Sequence, residues 1–270
     1  MAIFQCNHRS KVQGRSVNFN VIIPEQCEDD IPVCYMLHGI NATPFDWIKS
    51  MSIERYATAR SIAVVMPQAD NSFYADMKYG FKFYTYIVEE LIPYCRKLFH
   101  FSDKREKNFI SGFSMGGYGC TKIAMRNPEM FAVCAPMSGV FSFYENFKKE
   151  VDIRAIPVWG DNVVEAVHNT EDDVYYLIDE LVKSGKPKPW IYQCCGTEDG
   201  LIEDNRKMRE FMKDKGFHYQ YEEWAGAHTW DFWDEAIPKC LDVCKIYMKE
   251  NGVEENLNGR FPGSIVKVEY

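Results

Sequence analysis

Hydrophobic and polar positions along the chain form short apolar runs that alternate with longer stretches of helical periodicity. The apolar runs predict strands at residues 16–23, 33–37, 62–66, 108–111, 131–135, 190–195 and 219–224. The periodic stretches predict helices at residues 53–60, 81–98, 118–126, 172–183, 201–215 and 230–249. Because most of these strands are apolar throughout and a helix follows them, the pattern predicts an α/β fold: a mostly parallel central sheet with helices on both faces.

The 270 residues, 46% of them hydrophobic, are enough for one large domain, which we place at residues 1–250. The strand at 16–23 begins with alternating polar and apolar positions and predicts an antiparallel pairing. Residues 140–188 contain one helix and otherwise irregular or short-helical sequence, which predicts a small cap or insert over the site. Residues 251–270 are polar until the alternating segment 264–270, so they form either a tail or an added edge strand.

The most informative motif lies between the strand at 108–111 and the helix at 118–126. It is GFSMG, residues 112–116, and the order strand, turn, helix is that of a nucleophile elbow. Such a turn lifts the serine hydroxyl above the sheet, and it needs glycine on both sides because side chains there would collide. Ser114 is therefore the candidate nucleophile and the Met115 amide a candidate oxyanion donor. A phosphate-binding loop is excluded because no Gly-Lys-Ser/Thr follows.

A serine hydroxyl is a weak nucleophile until a base takes its proton and an acid orients that base. His228 is the candidate base, because it lies between the last predicted strand and the closing helix. Asp199 is the leading acid in the turn after the preceding strand, with Glu198 and Asp204 as rivals. The order Ser114, Asp199, His228 is that of α/β-hydrolases.

The second oxyanion donor is expected where the strand at 33–37 ends. Gly39 permits close approach there, and the Ile40 amide is the candidate donor. His38 lies beside this site, but it precedes Ser114 and is set aside as the base. The candidate substrate-binding residues are aromatic: Phe73, Tyr74, Phe113 and Trp230.

Charge and cysteine content narrow the classes of partner. A net charge of −8 and a pI near 5.4 argue against nucleic acid and anionic membranes, and no run approaches the ~18 apolar residues of a membrane span. The N-terminus shows no secretory signal, and the ten cysteines lack zinc-site spacing, which favours free thiols in the cytoplasm. We expect a small-molecule substrate and no metal or cofactor. The sequence does not decide the oligomeric state, and a homo-oligomer is one of the options.

Several segments together resemble the esterase D group of α/β-hydrolases, and within it most closely the tributyrin esterases. They are His38-Gly39 with Trp47, residues 71–74 (NSFY), 112–119 (GFSMGGYG), 196–199 (GTED) and 228–233 (HTWDFW). The resemblance implies a serine esterase for short acyl groups, related to S-formylglutathione hydrolases, acetylxylan esterases and feruloyl esterases. It places Ser114, Asp199 and His228 at the triad positions, and Ile40 and Met115 at the oxyanion positions.

The function predicted from the sequence is that of a serine carboxylesterase. It would hydrolyse acetyl to butyryl esters through an acyl-enzyme, with acetylated or feruloylated carbohydrates as candidate substrates. Two alternatives stay open: a thioesterase of the S-formylglutathione hydrolase type, and a hydrolase-fold binding protein without turnover. The binding protein ranks last because all three triad residue types are present.

Overall fold

The computed structural model describes residues 2–25, 27, 29–142 and 153–253, and these residues surround one eight-stranded sheet. The strands are β1 (Ala2–Arg9), β2 (Ser16–Ile23), β3 (Val33–Leu37), β4 (Ala63–Pro67), β5 (Asn108–Phe113), β6 (Val133–Met137), β7 (Trp190–Gly196) and β8 (Tyr219–Trp224). Their order across the sheet is β1-β2-β4-β3-β5-β6-β7-β8. The pairs β1/β2 and β2/β4 are antiparallel and the other pairs are parallel, so the predicted mostly parallel sheet is confirmed.

Helices cover both faces of this sheet. They are α1 (Pro44–Ser50), α2 (Ile53–Arg60), α3 (Phe83–Thr85), a π-helical turn (Tyr86–Leu91), α4 (Ile92–Phe99), a 3₁₀ turn (Arg105–Lys107), α5 (Met115–Arg126), α6 (Ile156–Trp159), α7 (Val163–Val167), α8 (Val174–Ser184), α9 (Ile202–Met212) and α10 (Trp230–Glu250). The segment from α3 to α4, predicted as one helix, is continuous but widens at the π-helical turn just before Pro93. Pro93 lacks the amide hydrogen that would donate to the preceding turn of a regular α-helix, which accounts for the irregular hydrogen bonding at this point.

Two hydrophobic cores lie on opposite faces of the sheet, as the apolar strands require. Along β3, Val33, Tyr35 and Leu37 belong to one core, whereas Cys34 and Met36 belong to the other. Successive side chains of a strand point to opposite faces, so a strand that is covered on both sides is apolar at every position. Helices α4, α5, α8 and α9 contribute to the first core, and α1, α2 and α10 to the second.

Strand β1 and helix α1 are additions to the predicted elements. Most β1 positions are exposed, so its sequence lacks the apolar pattern that marks the buried strands. In the predicted cap, residues 153–188 include α6, α7 and α8, while residues 143–152 lie outside the described residues. The predicted tail or edge strand at 254–270 also lies outside them, and the single-domain assignment stays a prediction.

Candidate active site

Ser114 occupies the sharp turn between β5 and α5. Its backbone has φ 57° and ψ −121°, a conformation that non-glycine residues rarely adopt outside functional sites. A Cβ on Gly112 would lie 2.4 Å from the Gly116 carbonyl oxygen, and one on Gly116 would lie 1.9 Å from the Leu37 carbonyl oxygen. Both positions therefore require glycine, and the predicted elbow geometry is present.

The three residues predicted to form a triad, Ser114, Asp199 and His228, are joined by consecutive hydrogen bonds. His228 Nε2 lies 2.9 Å from Ser114 Oγ, and His228 Nδ1 lies 2.8 Å from Asp199 Oδ2. Each residue follows a different strand of the parallel part of the sheet: β5, β7 and β8. Because parallel strands present their carboxyl ends at one edge, side chains separated by up to 114 positions meet there.

The Asp199 carboxyl is fully buried, and its surroundings favour the ionised form. Burial raises its pKa, but hydrogen bonds from His228 and from the Leu201 amide outweigh burial, so the pKa lies below the ordinary aspartate value. The rival acids have other partners. Glu198 accepts a hydrogen bond from the Gly226 amide, and Asp204 binds backbone amides at the start of the insert.

The two predicted oxyanion donors are backbone amides that no described residue engages. Neither the Ile40 N–H nor the Met115 N–H donates a hydrogen bond to any residue that the structure describes. Met115 is the first residue of α5, and Ile40 follows β3, the strand that pairs with β5. They remain the two candidate oxyanion donors.

His38 supports this arrangement, a role that sequence reasoning missed. The side chain is fully buried, its Nε2 accepts a hydrogen bond from the Ala69 amide at 3.0 Å, and its Nδ1 lies 2.8 Å from the Gly39 carbonyl oxygen. Because Nε2 accepts the Ala69 N–H and Nδ1 faces a carbonyl oxygen, the ring proton is assigned to Nδ1; burial also lowers the pKa of His38. The N–H and C=O of a trans peptide point in opposite directions, so holding the Gly39 carbonyl also aims the Ile40 N–H. A histidine directly before a glycine was the available signal.

The candidate aromatic residues divide into buried supports and a partly exposed ring. Phe73 and Tyr74 both have left-handed backbones, with φ 50° and 54°, and Tyr74 Oη donates to the His38 carbonyl oxygen at 2.7 Å. Phe113 is 2% exposed and stacks on Trp233 with ring centroids 4.2 Å apart. Trp230, which packs edge-on against Phe113, remains partly exposed beside the histidine loop.

An ion pair between a buried lysine and a partly exposed aspartate ties α5 to the insert. Lys122 has no exposed side-chain surface, and its Nζ donates to Asp172 Oδ1 at 2.8 Å and to the Phe73 carbonyl oxygen at 3.0 Å. Asp172 also accepts a hydrogen bond from Trp159 Nε1 at 2.7 Å. Burial lowers the pKa of Lys122, while for Asp172 the attraction to that ammonium outweighs burial and lowers the pKa. The pair fixes the insert and the Phe73 turn to the helix that carries Ser114.

The described part of the chain contains no group of three or more His, Cys, Asp or Glu residues arranged to hold a metal ion. Within the same residues, no helix has the length and apolar character needed to cross a bilayer.

Comparison with known proteins identifies the family. The Esterase family model matches residues 10–242. The acetyl esterase of Caldicellulosiruptor saccharolyticus is 28% identical over 261 residues, which are 90% of this chain and 97% of that protein. Among solved structures, the fluorophosphonate-binding serine hydrolase F of Staphylococcus aureus is 33% identical, with a TM-score of 0.84. The alignment covers 90% of this chain and 98% of the hydrolase F chain.

The S-formylglutathione hydrolase of the same organism is also 33% identical, with a TM-score of 0.82 and the same coverage. These similarities confirm the α/β-hydrolase fold and the resemblance to the esterase D group. The chain therefore belongs to the Esterase family, and it is an esterase.

Proposed function

We propose that this esterase is a serine carboxylesterase in which Ser114 is the nucleophile, His228 the general base and Asp199 the residue that orients the histidine. The observation that carries the proposal is the continuous hydrogen-bonded chain from Asp199 through His228 to Ser114. A buried carboxylate on Nδ1 fixes the tautomer in which Nε2 is free to accept the serine proton. The same carboxylate stabilises the imidazolium that forms.

The reaction follows from these positions. Ser114 Oγ bonds to the ester carbonyl carbon as its proton moves to His228 Nε2, and the resulting oxyanion accepts hydrogen bonds from the Ile40 and Met115 amides. The ester C–O bond then breaks, and the departing alcohol takes the proton from His228. Water next attacks the acyl-serine, gives its proton to the same nitrogen, and releases the acid as the serine oxygen recovers a proton.

Short acyl groups, acetyl to butyryl, are the proposed substrates. Support comes from the resemblance to tributyrin esterases and from the similarity to the acetyl esterase of Caldicellulosiruptor saccharolyticus. Acetylated or feruloylated carbohydrates are the proposed natural class. The ten cysteines form no disulfide bonds in the structure, which favours a reducing compartment such as the cytoplasm.

A thioesterase is the second candidate, because the S-formylglutathione hydrolase of Staphylococcus aureus is as similar in sequence as any structure reported above. Oxygen esters and thioesters share the acyl-serine intermediate, so the triad does not distinguish them. The ratio of kcat/KM for S-formylglutathione to that for an aryl acetate decides between them.

The test of the mechanism compares Ser114→Ala with Ser184→Ala, a control at an exposed serine on α8. We expect Ser114→Ala to lower kcat for 4-nitrophenyl acetate about 10⁶-fold and to abolish labelling by a fluorophosphonate probe. Ser184→Ala should match the wild type in both measurements. Retained hydrolysis or labelling in Ser114→Ala would refute the assigned nucleophile, and a wild-type protein that neither reacts nor hydrolyses would favour the binding-protein alternative.

A series of acetate, butyrate and octanoate aryl esters tests the acyl preference. We expect kcat/KM to be highest for acetate or butyrate and to fall for octanoate. The highest value with octanoate would contradict the short-chain proposal while leaving the triad intact.

A further inference from the structure

A second concave surface, separate from the Ser114 site, lies beside the antiparallel edge of the sheet. It is a cavity of about 500 Å³ between β1, β2, the residue after β4 and the start of α1, within the ~300–1,000 Å³ range of small-molecule sites. Its lining contains five side-chain amides and one half-exposed aromatic ring: Gln5, Asn7, Asn18, Asn20, Gln68 and Phe45. No lining residue carries a charge. We call this surface the amide cavity.

The antiparallel register of β1 and β2 places the strand amides on one face in two cross-strand pairs. Asn7 lies opposite Asn18, and Gln5 lies opposite Asn20. The first pair is joined by a hydrogen bond of 2.7 Å from Asn7 Nδ2 to Asn18 Oδ1. The second pair has no such bond, so its polar atoms are available to a ligand.

Asn20 is the unusual member of the cavity. It is 6% exposed, yet its side-chain amide forms no hydrogen bond with the part of the chain that the structure describes. Its amide atoms are not sealed from solvent, so they can hydrogen-bond to water or to a ligand in the cavity that Asn20 lines. A bound molecule would take the place of that solvent and occupy hydrogen-bonding positions that no described residue fills.

The chemistry of the lining identifies the ligand class. A carboxamide presents a donor and an acceptor side by side, which matches adjacent hydroxyl groups that each donate and accept. The absence of charged side chains from the cavity lining favours a neutral ligand over a phosphate, a carboxylate or an amine. The ring of Phe45, 50% exposed, offers an apolar face to the C–H side of a sugar ring. We propose that the amide cavity binds a neutral oligosaccharide.

The location of the cavity fits a chain of several sugar units. Phe19 of β2 pairs with Pro67 at the end of β4, so Gln68 lies at the same carboxyl edge as the Ser114 turn. In the sheet order, β2 is three strands from β5, which corresponds to about 14 Å at the usual strand spacing. Binding of an oligosaccharide in the amide cavity goes beyond the proposed esterase function. Presentation of an esterified sugar to Ser114 by this cavity would rest on that function.

The experiment measures binding without turnover. Xylotetraose, cellotetraose and maltotetraose are titrated by calorimetry into Ser114→Ala protein, with saturation-transfer NMR as a second readout. We expect at least one tetrasaccharide to bind. A failure of the esterase assay leaves this measurement unaffected, so the two proposals are separable.

Variants then locate the site in the Ser114→Ala background. Asn20→Leu keeps the branching of the side chain and removes the cavity-facing amide, so we expect affinity to fall about tenfold or more, and the unfolding temperature of the variant checks that it folds. Phe45→Ala, at an exposed position, should also weaken binding. Gln220→Ala removes an exposed amide on β8, at the opposite edge of the sheet, and should leave affinity unchanged.

Two results would overturn the proposal. One is that none of the three tetrasaccharides binds at millimolar concentration. The other is that both Asn20→Leu and Phe45→Ala bind as tightly as the Gln220→Ala control, which would place the sugar elsewhere. If Asn20→Leu fails to fold, Phe45→Ala alone decides between these outcomes.

Discussion

Replacing His38 tests whether the buried histidine positions the oxyanion hole. His38→Ala removes both of its hydrogen bonds, to the Gly39 carbonyl and from the Ala69 amide. An asparagine at position 38 can place its amide nitrogen where Nδ1 lies and so retain the bond to Gly39. A glutamine instead reaches the Nε2 position and keeps only the bond from Ala69. The pair of variants therefore separates the two nitrogens.

The expected loss has an upper and a lower limit. Complete loss of one oxyanion donor costs about 10²- to 10³-fold in kcat, whereas one neutral hydrogen bond contributes ~0.5–1.5 kcal/mol, about tenfold or less. The Gly39 carbonyl also accepts a hydrogen bond from the Ala42 amide at 3.3 Å, which keeps part of the orientation. We therefore expect His38→Ala and His38→Gln to lower kcat about 10- to 100-fold, and His38→Asn to lower it much less.

Steady-state kinetics with 4-nitrophenyl acetate provides the measurement. KM should change little, because the oxyanion exists only in the transition state and its intermediates. Affinity for a boronic acid that forms a tetrahedral serine adduct should fall in parallel with kcat. Wild-type kcat in His38→Ala would refute the positioning role. The alternative is a purely structural role. It would be shown if the asparagine and glutamine variants lost kcat equally and the loss matched the fall in their unfolding temperatures.

Three further predictions concern charges around the site. Asp199→Asn should lower kcat about 10⁴-fold in the same assay, because the Leu201 N–H selects the amide oxygen and turns the NH₂ group toward the histidine; wild-type turnover would contradict this. Lys122→Met should lower the unfolding free energy by about 1–3 kcal/mol in urea, because Asp172 and the Phe73 carbonyl lose their hydrogen bonds from Nζ while Asp172, with 22% of its side chain exposed, keeps part of its hydration; an unchanged midpoint would contradict it. Burial raises the pKa of Asp204, so its contribution to stability is present below the unfolded pKa of ~3.9 and is lost as pH rises through the folded pKa. Asp204→Asn should flatten that part of the pH dependence of unfolding, and an unaltered profile would refute the assignment.

Apolar runs and motif order were enough to predict the parallel part of the sheet. The predicted bounds of the strand at 219–224 and the helix at 53–60 match β8 and α2, because both segments have a clear pattern and clear ends. The order Ser114, Asp199, His228 was also sufficient to predict that these three distant residues lie close together. Each follows a parallel strand, and the carboxyl ends of parallel strands lie at one edge of the sheet.

Other features depend on contacts that no local pattern records. Strand β1 is held by its pairing with β2 and not by buried side chains of its own, so its sequence resembles a loop. The role of His38 depends on the Ala69 amide, because this amide donates to Nε2 and so sets the ring tautomer. Ala69 follows β4, a different strand from the one that precedes His38. The cavity that Asn20 lines likewise forms only when β1, β2 and α1 are assembled.

The placement of the proposed triad makes hydrolysis a reporter of folding. Ser114, Asp199 and His228 reach one another only after β5, β7 and β8 have been aligned through β6, and contacts between distant parts of a chain form late and slowly. During refolding from denaturant, helical circular dichroism should therefore recover before ester cleavage. A hydrolytic burst that preceded sheet formation would mean that the catalytic groups can assemble on a partly ordered chain.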